Sequence, residues 1–153
     1  MKFLLALIFS FTSNFAYGQD LYSFKIYLKD QTVKVYQDDQ LIKEFPCSTG
    51  IKAGSTPSGS FKTYFKKEKD TWVEDDGTEI NYYYSIKFNK NIAFHSQIEG
   101  DHPLVKEGEK LFLDRKPSSM GCVRLEKEDA KWIYDLPLGM DVEVIDGNST
   151  DSP

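Results

Sequence analysis

The amino-acid sequence predicts a single, mainly β domain with one helix late in the chain. Short runs of residues alternate between apolar and polar side chains, and turns rich in Asp separate these runs at close spacing. Such alternation is typical of half-buried strands in antiparallel sheets. A helical pattern occurs in one place, residues 126–135, and the 153 residues suffice for one hydrophobic core.

The first half of the chain reads as a series of antiparallel strands. Residues 24–28 (FKIYL) and 32–36 (TVKVY) alternate on either side of a Lys-Asp-Gln turn, and residues 41–47 form a third run. Together they predict a β-meander. Residues 48–59 (STGIKAGSTPSG) place small residues, Gly and Pro in one loop, and residues 61–65 then resume as a strand.

The middle of the chain is rich in charged and aromatic residues. Residues 66–78 are mostly polar or charged, which predicts an exposed excursion. Residues 80–88 predict an aromatic strand in which Tyr82 and Tyr84 share one face, because side chains alternate along a strand. Aromatic strands usually pack in a core, and one of these tyrosines is also a candidate for a cleft wall. Residues 92–95 (IAFH) predict a short apolar strand.

The second half of the chain contains the one predicted helix. Residues 96–118 form a long polar connection, and connections of this length are either functional or disordered. The helix at residues 126–135 begins with acidic residues, which complement the positive end of the helix dipole. Residues 141–145 (DVEVI) predict a closing strand, and residues 148–153 a flexible tail.

The N-terminus has the pattern of a secretory signal. Lys2 precedes a short apolar run at residues 3–11, and Ala16-Tyr17-Gly18 provides small residues at alternate positions. This pattern predicts a signal peptide at residues 1–18 and an exported domain at residues 19–147. A retained N-terminal anchor is the alternative, although the run is shorter than the ~20 residues that span a bilayer.

The charge balance argues against polyanionic partners. The formal net charge is −5 at pH 7, with 19 Lys and Arg against 24 Asp and Glu, and the basic residues form no stripe. A basic patch is the electrostatic footprint of nucleic-acid binding, so nucleic acid is excluded as the expected partner. Binding to a membrane surface through a basic patch is equally unsupported.

Cys122 has the surroundings of a reactive thiol. Residues 118–125 read SSMGCVRL, and Gly121 allows a sharp bend that brings backbone N–H groups near the sulfur, where they can bind an oxyanion. The cation of Arg124 and a following helix N-terminus would both lower the thiol pKa. A buried structural cysteine is one alternative. A disulfide with Cys47 is another, because export places both cysteines in an oxidising compartment.

A cysteine nucleophile requires a base, and the chain has two histidines. His95 ends an apolar strand and precedes Ser96, which could orient the imidazole. His102 lies in the polar connection. Either histidine could instead be a packing or surface residue, so the residues alone leave a Cys/His pair as a possibility in three dimensions.

The chain resembles the L,D-transpeptidases with a YkuD-type catalytic domain, through motifs that occur in the family's order. These motifs are Ser48-Thr49-Gly50, residues 56–61 (TPSGSF, against T-P-x-G-x-F), residues 92–95 with the histidine, residues 119–125 (SMGCVRL, against S-H-G-C-[VI]-R-[LM]), and the helix and strand at residues 129–142. The resemblance covers nearly the whole predicted domain, and it implies a mixed β-sandwich.

The resemblance implies a role for each residue of the motifs. Cys122 attacks a carbonyl and forms a thioester, and His95 takes the thiol proton. Ser96 or a backbone carbonyl orients His95. Backbone N–H groups around Gly121 and Cys122 bind the oxyanion, and Ser119 belongs to the same orienting set.

The resemblance also implies what the site acts on. Peptidoglycan stem peptides serve as acyl donor and amine acceptor, and Arg124 either stabilises the loop or pairs with a substrate carboxylate. An amine resolves the thioester in a transpeptidase, whereas water resolves it in a carboxypeptidase or hydrolase. The family needs no metal or organic cofactor. We expect a monomer in the periplasm or at the cell wall, with a non-catalytic wall-binding domain as the remaining alternative.

Two departures from the family pattern affect the site. Met120 stands where the family usually has a histidine, and a thioether cannot carry a proton. The gap from His95 to Ser119 is longer than the family's, whereas His102 falls inside the usual window. We favour His95 as the base because an apolar strand holds an imidazole rigidly. The additional length then belongs to residues 96–118, a candidate substrate lid.

The family pattern favours a free thiol at Cys47. The family usually has an aliphatic residue at this strand position, so a small buried hydrophobe is the simpler interpretation. A disulfide between Cys47 and Cys122 would also block the nucleophile.

Overall fold

The computed structural model describes residues 21–150 and confirms a mainly β fold of two mixed sheets. The predicted signal peptide, residues 1–18, lies outside the described residues. In chain order the elements are β1 (Tyr22–Tyr27), β2 (Thr32–Gln37), β3 (Gln40–Pro46), β4 (Gly59–Lys62), β5 (Phe65–Val73), β6 (Glu79–Asn89), β7 (Ile92–Ser96), α1 (Pro103–Leu113), β8 (Val123–Leu125), α2 (Lys127–Asp135) and β9 (Asp141–Ile145).

The predicted β-meander forms most of the first sheet, whose strand order is β3-β2-β1-β9-β4. β1, β2 and β3 pair antiparallel, and β9 then joins β1 in parallel and β4 antiparallel. The turn between β2 and β3 consists of Asp38 and Asp39, both with positive φ. This two-residue turn matches the right-handed twist of the strands that it connects.

The second sheet has the order β5-β6-β7-β8 and carries both the His95 strand and the Cys122 segment. β5 and β6 form a long antiparallel hairpin, and β7 pairs antiparallel with β6 and parallel with β8. Because β8 begins directly after Cys122, the parallel pairing brings the nucleophile segment alongside the histidine strand.

The hydrophobic core lies between the two sheets and under α2. It combines side chains of the first sheet with side chains of the second, and α2 covers it with two fully buried residues, Ala130 and Ile133. Burial of this apolar surface supplies the main favourable term in folding. The largest fully buried side chains include Phe24, Ile26, Tyr27, Ile86, Phe94 and Leu125.

The structure contains a second helix where we expected a polar connection. α1 lies within residues 96–118, and His102 caps its N-terminus by accepting a hydrogen bond from a first-turn backbone N–H. The apolar residues of α1, Leu104, Val105, Leu111 and Phe112, follow the spacing of one helix face, so the sequence does contain the helical pattern. Gly108 lowers the helix propensity of the segment by about 1 kcal/mol relative to Ala.

The predicted excursion at residues 66–78 is largely β5, the edge strand of the second sheet. Lys67, Glu68 and Lys69 are exposed along this edge, where lysines discourage pairing with another chain. The prediction that Tyr82 and Tyr84 share a face is wrong. Tyr84 has a left-handed backbone with φ 57°, which interrupts the alternation, and the two rings have different neighbours.

Residues near the end of the described chain bond to the turn between β1 and β2. The predicted tail is described only to residue 150, and there the backbone N–H and hydroxyl of Ser149 donate to the carboxylate of Asp30. Among residues 21–150, no helix is long and apolar enough to span a membrane.

Candidate active site

The nucleophile segment is a tight loop that only glycine permits. Gly121 has φ 149°, and a Cβ at this position would lie 2.6 Å from the carbonyl oxygen of Ser55. The hydroxyl of Ser119 donates to the Cys122 carbonyl at 2.6 Å and accepts the Gly121 N–H at 3.0 Å. Ser119 therefore orients the loop, as expected. It also occupies the Gly121 N–H, which we had expected to face an oxyanion.

A buried threonine connects this loop to the loop at residues 48–59. The hydroxyl of Thr56 donates to the Gly121 carbonyl at 2.7 Å and accepts the Gly50 N–H at 2.9 Å. Thr56 is the first residue of the TPSGSF motif, and Gly50 ends the Ser-Thr-Gly turn. Two motifs that are distant in sequence thus meet at the backbone of the nucleophile loop.

Cys122 is half-buried, and its Sγ lies 3.6 Å from the carbonyl oxygen of Asn91 at the start of β7. Burial raises the pKa of the Cys122 thiol, and the Ala93 N–H, Arg124 and Lys87 oppose this shift. The expectation of a lowered thiol pKa is therefore wrong in its net direction. A strand rather than a helix follows the cysteine directly, and desolvation outweighs the nearby cations.

His95 lies on β7 with 4% of its surface exposed. Burial lowers its pKa to about 4, assisted by the charge of Arg124 and opposed by the Ser96 carbonyl and Asp70. The imidazole is therefore neutral near pH 7. Its Nδ1 lies 2.6 Å from the Ser96 carbonyl oxygen, which can only accept a hydrogen bond. The proton consequently resides on Nδ1, and the lone pair on Nε2.

The parallel pairing of β7 and β8 places the Cys122 segment beside the strand that carries His95. His95 pairs with Arg124 across the parallel β7–β8 ladder. Cys122 immediately precedes β8, the strand that pairs with the His95 strand. The sulfur contacts the carbonyl oxygen of Asn91, the residue before β7, and the Ala93 N–H favours its thiolate. Ala93 and His95 are two residues apart on one face of β7, about 7 Å along the strand.

The side chains of Ser96 and His102 form hydrogen bonds that stabilise the backbone around them. The Ser96 hydroxyl donates to the Gln97 carbonyl at 2.7 Å and accepts the Tyr83 N–H at 3.0 Å. Of the two groups that could orient His95, the structure therefore uses the Ser96 backbone carbonyl. His102 caps α1 and interacts electrostatically with Asp76 in the β5–β6 turn.

Arg124 is a buried cation beside the nucleophile, with 8% of its surface exposed. Its Nη1 donates to the Ser118 hydroxyl at 3.2 Å, and its Nε has no hydrogen-bond partner. Within residues 21–150, no carboxylate forms an ion pair with it. α1 packs against the guanidinium through Gly108, where a Cβ would lie 3.0 Å from Nη1. The predicted lid segment thus helps to bury Arg124.

Sequence reasoning did not identify which tyrosine borders the site. The ring of Tyr82 lies 4.6 Å from that of His95, centroid to centroid, and Asp70 is its cross-strand partner. The aromatic pattern of residues 80–88 indicated candidates, but the pairing with Asp70 depends on hairpin register. Met120, in contrast, is 96% exposed at the tip of the nucleophile loop.

The second cysteine is separate from this site. Cys47 is fully buried, and both cysteines are free thiols, so the disulfide alternative is wrong. Burial raises the pKa of the Cys47 thiol well above its usual value, which keeps it protonated and unreactive. In the described part of the chain, no cluster of three or more His, Cys, Asp or Glu could hold a metal ion.

The chain belongs to the family of the L,D-transpeptidase catalytic domain, YkuD, whose model matches residues 22–144. The matched range contains both sheets, the His95 strand and the Cys122 loop.

Two individual proteins are similar to this chain in sequence. YciB of Bacillus subtilis (strain 168), which its name places among the L,D-transpeptidases, is 31% identical over 115 residues, or 71% of this chain and 57% of YciB. A fused Zn-dependent amidase/peptidase/peptidoglycan-binding domain-containing protein from Clostridium acetobutylicum ATCC 824 is 27% identical, with a TM-score of 0.62 over 81% of this chain and 51% of its own.

A more distant solved structure shares the fold. The L,D-transpeptidase from Stackebrandtia nassauensis has a TM-score of 0.63 at 23% identity, covering 86% of this chain and 58% of its own. The present chain therefore spans between about half and three-fifths of the length of these relatives.

Proposed function

We propose that this chain is an exported cysteine acyltransferase that joins peptidoglycan stem peptides by L,D-transpeptidation. Cys122 is the nucleophile and His95 the base. The observation that carries this proposal is the parallel pairing of β7 and β8, which sets the Cys122 sulfur against the strand of a buried, neutral histidine whose Nε2 is free to accept a proton.

The first half of the reaction forms a thioester. The Cys122 sulfur attacks the donor peptide's carbonyl carbon, and the thiol proton moves to Nε2 of His95 as the C–S bond forms. Because the thiol pKa is raised, proton transfer accompanies attack rather than preceding it. The protonated His95 then gives its proton to the leaving amine as the C–N bond breaks.

The second half returns the thiol. An amine of the acceptor peptide attacks the thioester carbonyl, and His95 removes a proton from that amine as the new C–N bond forms. The C–S bond breaks, and the proton returns to the sulfur. If water replaces the amine, the same steps give hydrolysis and a shortened peptide.

Backbone and charge stabilise the negative oxygen of each tetrahedral intermediate. Since Ser119 occupies the Gly121 N–H, we assign the Cys122 N–H as the donor that the loop presents to the oxyanion. Arg124 contributes a positive charge that no carboxylate of the described residues neutralises. Its charge favours the anionic sulfur and disfavours protonation of His95.

The test is a product analysis on a defined disaccharide tetrapeptide. Dimers in the mass spectrum support the transpeptidase, whereas shortened monomers identify a carboxypeptidase or hydrolase. Cys122→Ala should abolish both with little loss of stability. Cys47→Ala is the matched control, because it removes a fully buried thiol that substrate does not reach, and it should leave the products unchanged.

Reaction with a carbapenem distinguishes an active enzyme from a non-catalytic wall-binding domain. Acylation of the chain at Cys122, seen as a mass increase that Cys122→Ala removes, supports retained chemistry. A thiol that stays unmodified would indicate a non-catalytic wall-binding domain. The exported location is tested by sequencing the N-terminus of the protein recovered from cells, where cleavage before Gln19 is the expected result.

A further inference from the structure

The β5–β6 hairpin places an aromatic ring directly against the proposed base. The Tyr82 ring lies 4.6 Å from the His95 ring, with an angle of 48° between their planes. Nδ1 of His95 is already held by the Ser96 carbonyl. A ring on the imidazole face adds a second constraint, because it limits rotation of the imidazole and excludes water from that side.

Tyr82 is itself anchored on both sides. Asp70 is its cross-strand partner in the hairpin, and the Asp70 carboxylate interacts with the Tyr82 hydroxyl and helps to raise the Tyr82 pKa. Lys67 and the Thr71 N–H also donate to Asp70, at 2.8 and 2.9 Å, so the carboxylate is fixed. Trp72 packs against the Tyr82 ring with a centroid separation of 5.7 Å.

The hairpin accepts backbone strain close to this contact. Tyr84 has φ 57°, in the left-handed region that non-glycine residues rarely occupy. The strained residue interrupts the alternation of β6, so that Tyr82 meets His95 while Tyr84 packs on Tyr134 of α2. Strain that persists next to a candidate site is a reason to look for a role there.

We propose that Tyr82 is a positioning residue for His95, and that Asp70 holds Tyr82 in place. The proposal rests on the proposed function, because Tyr82 is taken to position His95, the base of that reaction. Tyr82 is not required to exchange a proton. Burial and Asp70 raise its pKa, so the phenol stays protonated.

The groups that face His95 determine how its titration responds. Burial is the largest influence and lowers its pKa, and Arg124 on β8 acts in the same direction. The Ser96 carbonyl on β7 and Asp70 on β5 raise it. Removal of the Tyr82 ring admits water to the imidazole, so the pKa of His95 should move from about 4 toward its ordinary value of 6.5.

Nuclear magnetic resonance titration tests the proposal without any substrate. The chain has two histidines, so His102 on the exposed start of α1 serves as an internal reference in each spectrum. In Tyr82→Leu we expect the His95 titration to move up by at least one pH unit while that of His102 is unchanged. Tyr82→Phe keeps the ring and should leave the His95 titration near that of the original chain.

Tyr83→Leu is the matched control. Tyr83 is adjacent in β6, but its ring faces Lys127, with Nζ 3.8 Å from the ring centroid. The His95 titration should not change in this variant. If Tyr82→Leu leaves it unchanged as well, or if Tyr83→Leu shifts it equally, Tyr82 does not position His95.

Kinetics of carbapenem acylation provide the second readout. In Tyr82→Leu the maximal acylation rate should fall by about tenfold to a hundredfold with little change in half-saturating concentration, as expected for a misplaced base. Asp70→Asn should give a smaller loss of the same kind and keeps the proposal testable if Tyr82→Leu does not fold. A loss confined to the half-saturating concentration would overturn the positioning role.

The two proposals fail in different ways. If the original chain is never acylated but His95 still responds to Tyr82→Leu, the proposed function is wrong and the positioning relationship stands. If the chain is acylated but neither readout responds to Tyr82, the function stands and the positioning role is wrong.

Discussion

The backbone carbonyl of Ser96 accepts a hydrogen bond from Nδ1 of His95 at 2.6 Å. Because a carbonyl oxygen cannot donate, this contact assigns the imidazole proton to Nδ1 and leaves Nε2 as the acceptor. Burial keeps the ring neutral, and burial also keeps the Cys122 thiol protonated. The site therefore rests as a neutral thiol and imidazole rather than as an ion pair.

A neutral resting pair predicts the pH dependence of acylation. The rate should be supported down to about pH 4, where His95 becomes protonated and can no longer accept the thiol proton. A free imidazole would lose this capacity near pH 6.5 instead. The measurement is the rate of carbapenem acylation between pH 3.5 and 8 in buffers of constant ionic strength, restricted to the pH range in which circular dichroism shows a folded chain.

One result of the pH–rate experiment would contradict a neutral resting pair. An acid limb centred near pH 6.5 would show that His95 is solvated in the working enzyme or that another group titrates. His102→Gln is the matched control and should leave the profile unchanged, because His102 caps α1. If His102→Gln abolishes acylation while the chain stays folded, the assignment of the base to His95 is wrong.

The lowered pKa of His95 also predicts how stability depends on pH. Between pH 6.5 and about 4 the unfolded chain binds a proton at this histidine and the folded chain does not, so the free energy of unfolding falls as the pH falls. The full contribution of this group is roughly 3 kcal/mol, and it is present above pH 6.5 and lost below pH 4. Urea unfolding at several pH values measures it.

The His95 contribution is isolated by comparing variants. His95→Gln cannot titrate, so its stability should depend less on pH between 6.5 and 4 than that of the original chain. The difference between the two curves, rather than either curve alone, gives the contribution of His95 to the free energy of unfolding, since carboxylates titrate in the same range. Parallel curves would contradict a buried neutral His95.

The nucleophile loop predicts an intolerance to any side chain at position 121. Gly121→Ala should lower stability and abolish acylation, because the new Cβ would lie 2.6 Å from the Ser55 carbonyl oxygen. Gly54→Ala is the matched control, since Gly54 also has positive φ but no atom lies within 4 Å of its Cβ position. We expect Gly121→Ala to lower the free energy of unfolding by at least about 2 kcal/mol more than Gly54→Ala does. Equal costs would mean that backbone strain alone decides the effect.

The sequence predicted the local conformation of this loop better than its surroundings. Short-range features such as the Gly121-Cys122 bend and the strand that ends in His95 are encoded by neighbouring residues. Other features depend on which strands pair. Contact of Tyr82 with His95 requires the hairpin register and the left-handed Tyr84, neither of which alternation reveals.

The pKa of Cys122 could not be predicted for a related reason. The sequence shows that Arg124 is close to it, and a neighbouring cation lowers a thiol pKa. It does not show how far the fold removes the sulfur from water, and desolvation proves to be the larger influence. α1 was missed because Gly108 interrupts the apolar face that Leu104, Val105, Leu111 and Phe112 form.

Arg124 predicts a conflict between stability and activity. A buried cation without a carboxylate partner is costly, so replacement by an apolar side chain of similar length should not destabilise the fold. We expect Arg124→Met to keep or raise the melting temperature while carbapenem acylation falls by about tenfold to a hundredfold, because the positive charge beside the oxyanion is lost. Arg124→Lys, which keeps a charge but not the planar fork, should retain more activity than Arg124→Met. Thermal unfolding and acylation rates measured on the same preparations check both parts. A large loss of stability in Arg124→Met would show instead that the guanidinium serves mainly to hold α1 and Ser118 against the nucleophile loop.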